Sequence, residues 1–415
     1  MRILVIGSGG REHALIKALA KDSRAEIIYA LPGNPGMTEA VCLPGDPMNH
    51  AEVLNAACSH HIDFCIVTPD DPLASGLVDT LEEAGIACFG PTQQAARIES
   101  SKVFSKELMK KYGIPTAVWQ VVSGFDEGIK ALAGQRYPVV IKADGLAKGK
   151  GVFIAESFSQ SEEALRAVFC DRVFGASGSQ AVIEEYLEGP EVSVLTLTDS
   201  ERLLELPSSM DHKRAFDGDR GPNTGGMGAI APNPFYTAEI AKRCRQEIFL
   251  PTLRAMVREG CPFRGCLYFG LILTEDGPKV LEYNARFGDP ETQAVLQLFA
   301  SSPLDAFLHC RSGELKESDL SFLPGSAACV VVASEGYPGV FEKGFPITDE
   351  GGDICYAGVA EKNGHLVTSG GRVAAGCGRG ETLAAALDAA YRTARGIHFE
   401  NRFMRGDIGY RALKH

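Results

Sequence analysis

Glu282, Asn284 and Arg286 stand at every second position behind an apolar, β-branched run, Lys279-Val280-Leu281. Side chains of a strand alternate between faces, so a strand here puts Glu282 and Asn284 on one side. If it runs two residues further, Arg286 joins them. One carboxylate and one amide oxygen suit a hard cation such as Mg²⁺, which leaves its other positions to water and substrate phosphates. Arg286 beside it would hold a carboxylate or phosphoryl group. Glu-x-Asn alone more often marks a solvated edge strand. The next residues, Phe287-Gly288-Asp289-Pro290-Glu291-Thr292-Gln293, form a polar turn leading into an apolar helix pattern, which is an active-site loop composition.

Several stretches could bring a nucleotide to that metal. Between two strand-like runs lies Gly145-Leu146-Ala147-Lys148-Gly149-Lys150-Gly151. A Walker A loop needs four residues between its glycines, a Ser or Thr after Lys, and a following helix; all three are missing. Glycines with Lys148 and Lys150 in a hairpin can instead fold over phosphates as a lid, and Lys142 on the preceding strand would reach an α- or β-phosphate. A plain basic hairpin tip is the alternative. In VIEEYLEGPEVSV a strand breaks at Leu187-Glu188-Gly189-Pro190 and resumes. Such a hinge with an acid at Glu191 can hold adenine by main-chain groups and ribose by a carboxylate, although EGPE is also an ordinary turn. Lys102 stands among Lys106, Lys110 and Lys111, and reads by default as part of a solvated helix face.

The elements that must carry these residues begin at the start of the chain. ILVIGSGGREHALIKAL is strand, glycine turn, helix. The dinucleotide fingerprint fails, because its third glycine position is Glu12 and the next strand, EIIYALPG, carries no acid for a ribose. Glycine amides at a helix start still favour a phosphate. Gly10 with Arg11 and Glu12, a cation and an acceptor, suggests a Rossmann-like domain for a small phosphorylated ligand. Alternating strands and helices continue to about residue 99. Asn34 and Asp70 fall in loops at strand ends, where a parallel sheet opens its ligand crevice. Residues 208–231 lack any hydrophobic period and read as a substrate loop containing Asp211, Asp217 and Asp219. A small α+β unit starts near Gly325.

Composition sets the outer bounds. A chain of 415 residues, 45% apolar and 23% charged, is ordinary for a globular protein of roughly two to four domains. A net charge of −12 makes nucleic acid an improbable partner and leaves phosphate to local Lys, Arg and glycine amides. The 12 cysteines include no C-x-x-C pair and read as small buried hydrophobes in a reducing compartment. There is no signal-peptide layout and no apolar run of spanning length. The expectation is a cytoplasmic protein without membrane contact.

Taken together, VIGSGGREHAL, PGNPG, IKADGLAKGKGV, VIEEYLEGPEVS, DHKR with GPNTGGMGA, EYNARFGDPETQ and FENRFMRGDIGYRAL resemble the glycinamide ribonucleotide synthetases (phosphoribosylamine–glycine ligases), ATP-grasp enzymes of purine biosynthesis. The resemblance covers nearly the whole chain. It implies an α/β and α+β multidomain fold. Residues 1–99 would form a Rossmann-like pre-ATP-grasp domain. Residues 100–324 would form a two-lobed ATP-grasp domain with a small lid lobe at about 118–185. Residues 325–415 would form a C-terminal α+β domain. It further implies joining of glycine to 5-phosphoribosylamine with ATP and Mg²⁺ or Mn²⁺, by a chain expected to be a monomer. On matching positions, Lys102, Lys142, Lys148 and Lys150 would meet ATP phosphates. Glu185, Tyr186 and Leu187 would hold adenine and Glu191 ribose. Glu282 and Asn284 would bind metal. Gly10, Arg11, Glu12, Asn34 and Asp70 would face phosphoribosylamine. Asp211, Lys213, Asn223, Thr224, Gly225 and Arg286 would line the acceptor side, with Arg286 and Lys142 catalytic. Asp70 stands where the family often has Glu, Ser100-Ser101-Lys102 replaces Gly-Ser-Lys, and Lys148 replaces a small residue. The strand CLYFGLILT lacks the further metal carboxylate of many ATP-grasp enzymes. The alternatives are an ATP-grasp ligase for another acid or amine, and a non-catalytic nucleotide sensor.

Overall fold

The protein is seen here as a computed structural model that describes residues 1–147 and 151–414, the side chains of residues 176 and 177 excepted. Five short runs near the start pair in parallel in the order Val41–Cys42, Ile27–Pro32, Arg2–Gly7, Phe64–Val67, Ala87–Phe89. Leu4, Ile6, Cys65 and Val67 enter one apolar core, while Ile3, Val5, Phe64 and Ile66 enter another. A sheet buried on both faces explains why these strands read as continuous apolar runs. The chain order reverses between Arg2–Gly7 and Phe64–Val67, so the loops after Gly7 and Val67 flank the crevice where such sheets bind ligands.

The next domain has two lobes. The smaller is an antiparallel sheet in the order Trp119–Val122, Ala181–Glu185, Val139–Ala143, Val152–Ala155, with its own core under the helix Phe158–Phe169. The larger carries Leu203–Glu205, Glu191–Thr198, Gly265–Thr274 and Gly277–Asn284. Along Gly277–Asn284 the register jumps: Val280 faces Leu271, but Glu282 faces Gly270. Leu281 is thus the extra residue of a β-bulge. Before it Pro278 and Val280 are buried; after it Tyr283 and Ala285 are. The bulge switches the buried parity and leaves Glu282 and Asn284 facing the cleft.

The last sheet differs from expectation. Its core is Ser326–Ser334, Arg372–Gly380 and Asp353–Tyr356, but it also takes Met210–Asp211 and Gly228–Ala231 from the stretch read as structureless. A hairpin, Arg214–Phe216 with Arg220–Asn223, projects between them. Strands of two to four residues show no period for sequence reading to detect. Contacts from the chain's last residues fix this stretch. The fully buried Arg405 binds Asp219 at 3.0 Å, Asp407 at 2.7 Å and the Arg214 carbonyl at 3.0 Å. Tyr410 and Arg411 also donate to Asp219, and the Gly409 amide donates to His212 Nε2. The Ala-rich helix Leu383–Arg395 lies directly on Gly376, Gly378 and Gly380, where any Cβ would strike its backbone. Among the described residues no helix is long and apolar enough to cross a membrane.

Candidate active site

Glu282 and Asn284 share the open face of their strand, as their spacing predicts. Opposite Glu282 stands Gly270, where a Cβ would come to 3.0 Å of the Glu282 Cγ. Burial pushes the Glu282 carboxyl up, but Lys213, Lys142, Lys102 and Arg286 outweigh it and hold the pKa below the usual range. An ionised acid facing four cations is an environment for phosphates. One carboxylate plus one amide oxygen fits a divalent metal that draws its remaining ligands from a nucleotide. The neighbouring strand offers Tyr268 opposite Asn284 and no acid, so the protein part of such a shell stays small.

Lysines converge on this face from three elements. Lys142 donates to the Leu281 carbonyl at 2.9 Å. Lys102, at the start of the helix Lys102–Tyr112, donates to the Gly145 carbonyl at 3.0 Å, and burial lowers its pKa against the pull of Glu282. Lys213 pairs with Glu191 at 2.8 Å; burial opposes its charge, yet Glu191 and Glu282 outweigh it and raise the pKa. Lys148 and Lys150 lie outside the described residues. Glu185 accepts the Val118 amide at 2.8 Å, and Tyr186 beside it is exposed. Leu187 follows, half-buried, at the hinge.

The uniform solvated face expected for Lys102, Lys106, Lys110 and Lys111 does not hold. Lys106 is 2% exposed and lies 3.1 Å from Glu184, which is equally close to Lys142. Helical periodicity marks Lys106 as one turn from Lys102; only the packing of the smaller lobe against this helix reveals its burial.

At the N-terminal end the residues named from sequence divide into two groups. Glu12 was expected to offer a ligand an acceptor. Instead one oxygen accepts the Gly9 amide at 2.7 Å, and the other accepts Arg11 Nε and Thr68 Oγ1, both at 2.6 Å. Its carboxylate shapes the glycine loop. Asn34 is likewise engaged: it donates to the Ser8 and Tyr356 carbonyls and accepts the Gly36 amide, bracing this loop against the C-terminal domain. Arg11 donates to the Phe287 carbonyl at 3.0 Å. Asp70 faces the crevice; burial raises its pKa, but Arg286 and Arg11 outweigh this and lower it. A Cβ at Gly10 would meet the Gln293 amide at 2.7 Å.

Arg286 joins the two ends. It pairs with Glu99 at 3.2 Å, and its guanidinium also feels Asp70 and Glu291. Asp211 is driven well above the carboxylate range by burial and by Glu291. Thr224 donates to the Lys213 carbonyl and accepts the Gly226 amide. Gly225 is held by Tyr337 through its amide and by Arg372 through its carbonyl. Asn223 instead lines a cleft of about 710 Å³ with Phe153, Ile154 and Pro338, between the small lobe and the C-terminal domain. Glu99, Glu184, Glu291, Asp289 and Arg372 escaped the sequence reading. Glu291 and Asp289 lie in a loop already singled out; the others come from elements remote in sequence.

Seven buried side-chain polar atoms lack a hydrogen-bond partner among the described residues, and four belong here: Glu184 Oε1, Asp211 Oδ1, Arg286 Nε and Gln293 Oε1. Buried polar groups are nearly always paired, so each of these atoms leaves a bond for a ligand or a water to complete.

Two lobes meeting over the strand of Glu282 and Asn284, with lysines from three elements aimed at it, define an ATP-dependent ligase of the ATP-grasp class. The comparisons agree. Residues 1–99 match the phosphoribosylglycinamide synthetase N domain, 100–292 its ATP-grasp (A) domain and 327–411 its C domain. The chain belongs to the phosphoribosylglycinamide synthetase family. It is 44% identical to the phosphoribosylamine–glycine ligase of Clostridium acetobutylicum over 413 residues, covering 99% of each chain. It is 43% identical to that of Rhizobium meliloti, covering 100% of this chain and 99% of the other. The crystal structure of the Thermotoga maritima phosphoribosylamine–glycine ligase superimposes with a TM-score of 0.87 at 37% identity, covering 98% of this chain and 100% of that one. A Hydrogenobacter thermophilus biotin carboxylase domain shares the fold alone, with a TM-score of 0.76 at 17% identity over 97% of this chain and 91% of that one.

Proposed function

We propose that the chain joins glycine to 5-phosphoribosylamine, converting ATP to ADP and phosphate. The observation that carries this is the family match along nearly the whole chain, together with Arg286, which follows the strand of Glu282 and Asn284 and is held by Glu99 at 3.2 Å.

A carboxylate is a poor acyl donor. The glycine carboxylate oxygen attacks the γ-phosphorus, the bond to ADP breaks, and glycyl phosphate forms. Such transfer needs positioning and charge neutralisation more than a protein nucleophile. Lys102 and Lys142 hold the phosphates, and Arg286 steadies the transferring group. A Mg²⁺ or Mn²⁺ on Glu282 and Asn284 supplies further charge neutralisation when bound. Glu291 would meet the glycine ammonium, with Asp211 beside it as a neutral acceptor. The phosphoribosylamine nitrogen then attacks the acyl carbon, the bond to phosphate breaks, and the amine proton leaves with the phosphate. The amides of Gly9 and Gly10 with Arg11 suit the 5′-phosphate, and Asp70 the ribose hydroxyls. The reading places the protein in the cytoplasm.

Mass spectrometry of reactions with ATP, Mg²⁺, glycine and phosphoribosylamine generated in place tests this. Glycinamide ribonucleotide should appear with all four components and vanish when the metal is chelated. A product from another amino acid, and none from glycine, would sink the assignment.

A further inference from the structure

We propose that Lys106 is the counter-ion of Glu184, and that this leaves the Lys142 ammonium free to hold an ATP phosphate; the inference rests on the ATP site assigned above. Glu184 Oε2 lies 3.1 Å from Lys106 Nζ and 3.1 Å from Lys142 Nζ, with Lys106 and Glu184 both 2% exposed. Lys106 also donates to Thr116 Oγ1 at 2.8 Å, and Thr116 donates to the Val280 carbonyl at 2.7 Å. It is thereby moored to the metal-binding strand. Lys142 has three donors and places two of them, on Glu184 and on the Leu281 carbonyl. A lone Lys142–Glu184 pair would be neutral, and a phosphate would have to compete with the carboxylate. Two ammonium groups around one carboxylate leave a positive charge, and Lys142 is the one bordering Glu282 and Lys102. Burial pushes Lys106 down to about 8, with Glu184 and Glu185 opposing and Lys142 adding to the fall. Near neutral pH the ammonium persists.

Calorimetric titration of the full chain with MgADP separates this from a packing role. Lys106→Met should weaken ADP binding about 10-fold or more, the worth of a charged hydrogen bond. Lys106→Met combined with Glu184→Gln should recover affinity to within about 3-fold of the parent, since no carboxylate then draws on Lys142. Binding to the unsubstituted protein should weaken above about pH 8, and binding to the double variant should not. Lys142→Met reports on the underlying site. If it binds ADP normally, the ATP-site assignment falls and takes this inference with it. If it weakens binding while Lys106→Met does not, only the Lys106 role is wrong. Should Lys106→Met fail to fold, the double variant decides: parent-like affinity supports the inference, and a folded double variant that binds weakly overturns it.

Discussion

Glu99 lies 3.2 Å from Arg286 and, through its other oxygen, accepts the Ala285 amide at 2.7 Å. Glu99 is the penultimate residue of the helix Gln93–Ser100, while Arg286 follows the strand Gly277–Asn284. One carboxylate thus fixes both the backbone of Ala285 and the side chain of Arg286. Burial raises its pKa despite Arg286.

Glu99→Gln keeps an acceptor for Ala285 but releases Arg286 from its ion pair. We expect kcat to fall about 10-fold or more, with the KM for ATP little changed, since the phosphate lysines are untouched. Steady-state kinetics with each substrate varied would check this. A variant altered only in its KM for ATP would argue against the arrangement.

Glu282→Gln preserves size and removes the charge that would hold a divalent cation. Turnover should drop about 10²-fold or more, and nucleotide binding should weaken less. The direct measurement pairs kcat with ADP titration in the presence of Mg²⁺. Near-normal turnover would remove Glu282 from the metal site.

Asp70→Asn should raise the apparent KM for phosphoribosylamine by roughly 1.5–3 kcal/mol equivalent, while those for ATP and glycine stay put. Because Arg286 and Arg11 hold Asp70 ionised, its contribution should persist to low pH. Arg11→Ala should be more severe, since Arg11 also fastens the glycine loop through Glu12 and Phe287. If both changes act on ATP alone, the glycine loop belongs to the nucleotide.

Asp289 and Arg372 pair at 3.1 Å, mostly buried. Burial raises the Asp289 pKa, but Arg372, Arg11 and the Gln293 amide outweigh it and leave it below the usual value. A depressed folded pKa means that this pair stabilises the protein above the ordinary Asp value of about 3.9, and that the contribution disappears as pH falls through the folded value. Asp289→Asn should therefore cost about 2 kcal/mol at pH 7, and the gap in melting temperature should narrow towards pH 3. A gap that is constant with pH would mean that Asp289 does not act through its charge.

Much of this was legible because local patterns carried it. The two-residue period exposed Glu282 and Asn284, and glycine turns after strands gave away the first domain. Glu12 and Asn34 were found, but only three-dimensional pairing shows that the loop itself also engages them. Lys106 was hidden because a lysine's neighbours on its own helix say nothing of a lobe that packs from 78 residues away, through Glu184. Arg372 was hidden for the same reason, reaching Gly225 and Asp289 from a different domain.

The strands at Met210–Asp211 and Gly228–Ala231 belong to a sheet completed by residues 326–380, and the loop between them is held by Arg405 and Tyr410. During synthesis, then, the acceptor side cannot take shape when its own residues emerge from the ribosome. It waits for nearly 200 further residues, while the strand pairings of the first domain all lie within residues 2–89, although one face of that sheet is covered by later residues such as Phe287 and Ala294. The nascent chain can therefore pair its first sheet early, but Phe287 and Tyr356, which hold Arg11 and Asn34 of its glycine loop, arrive only with the later domains.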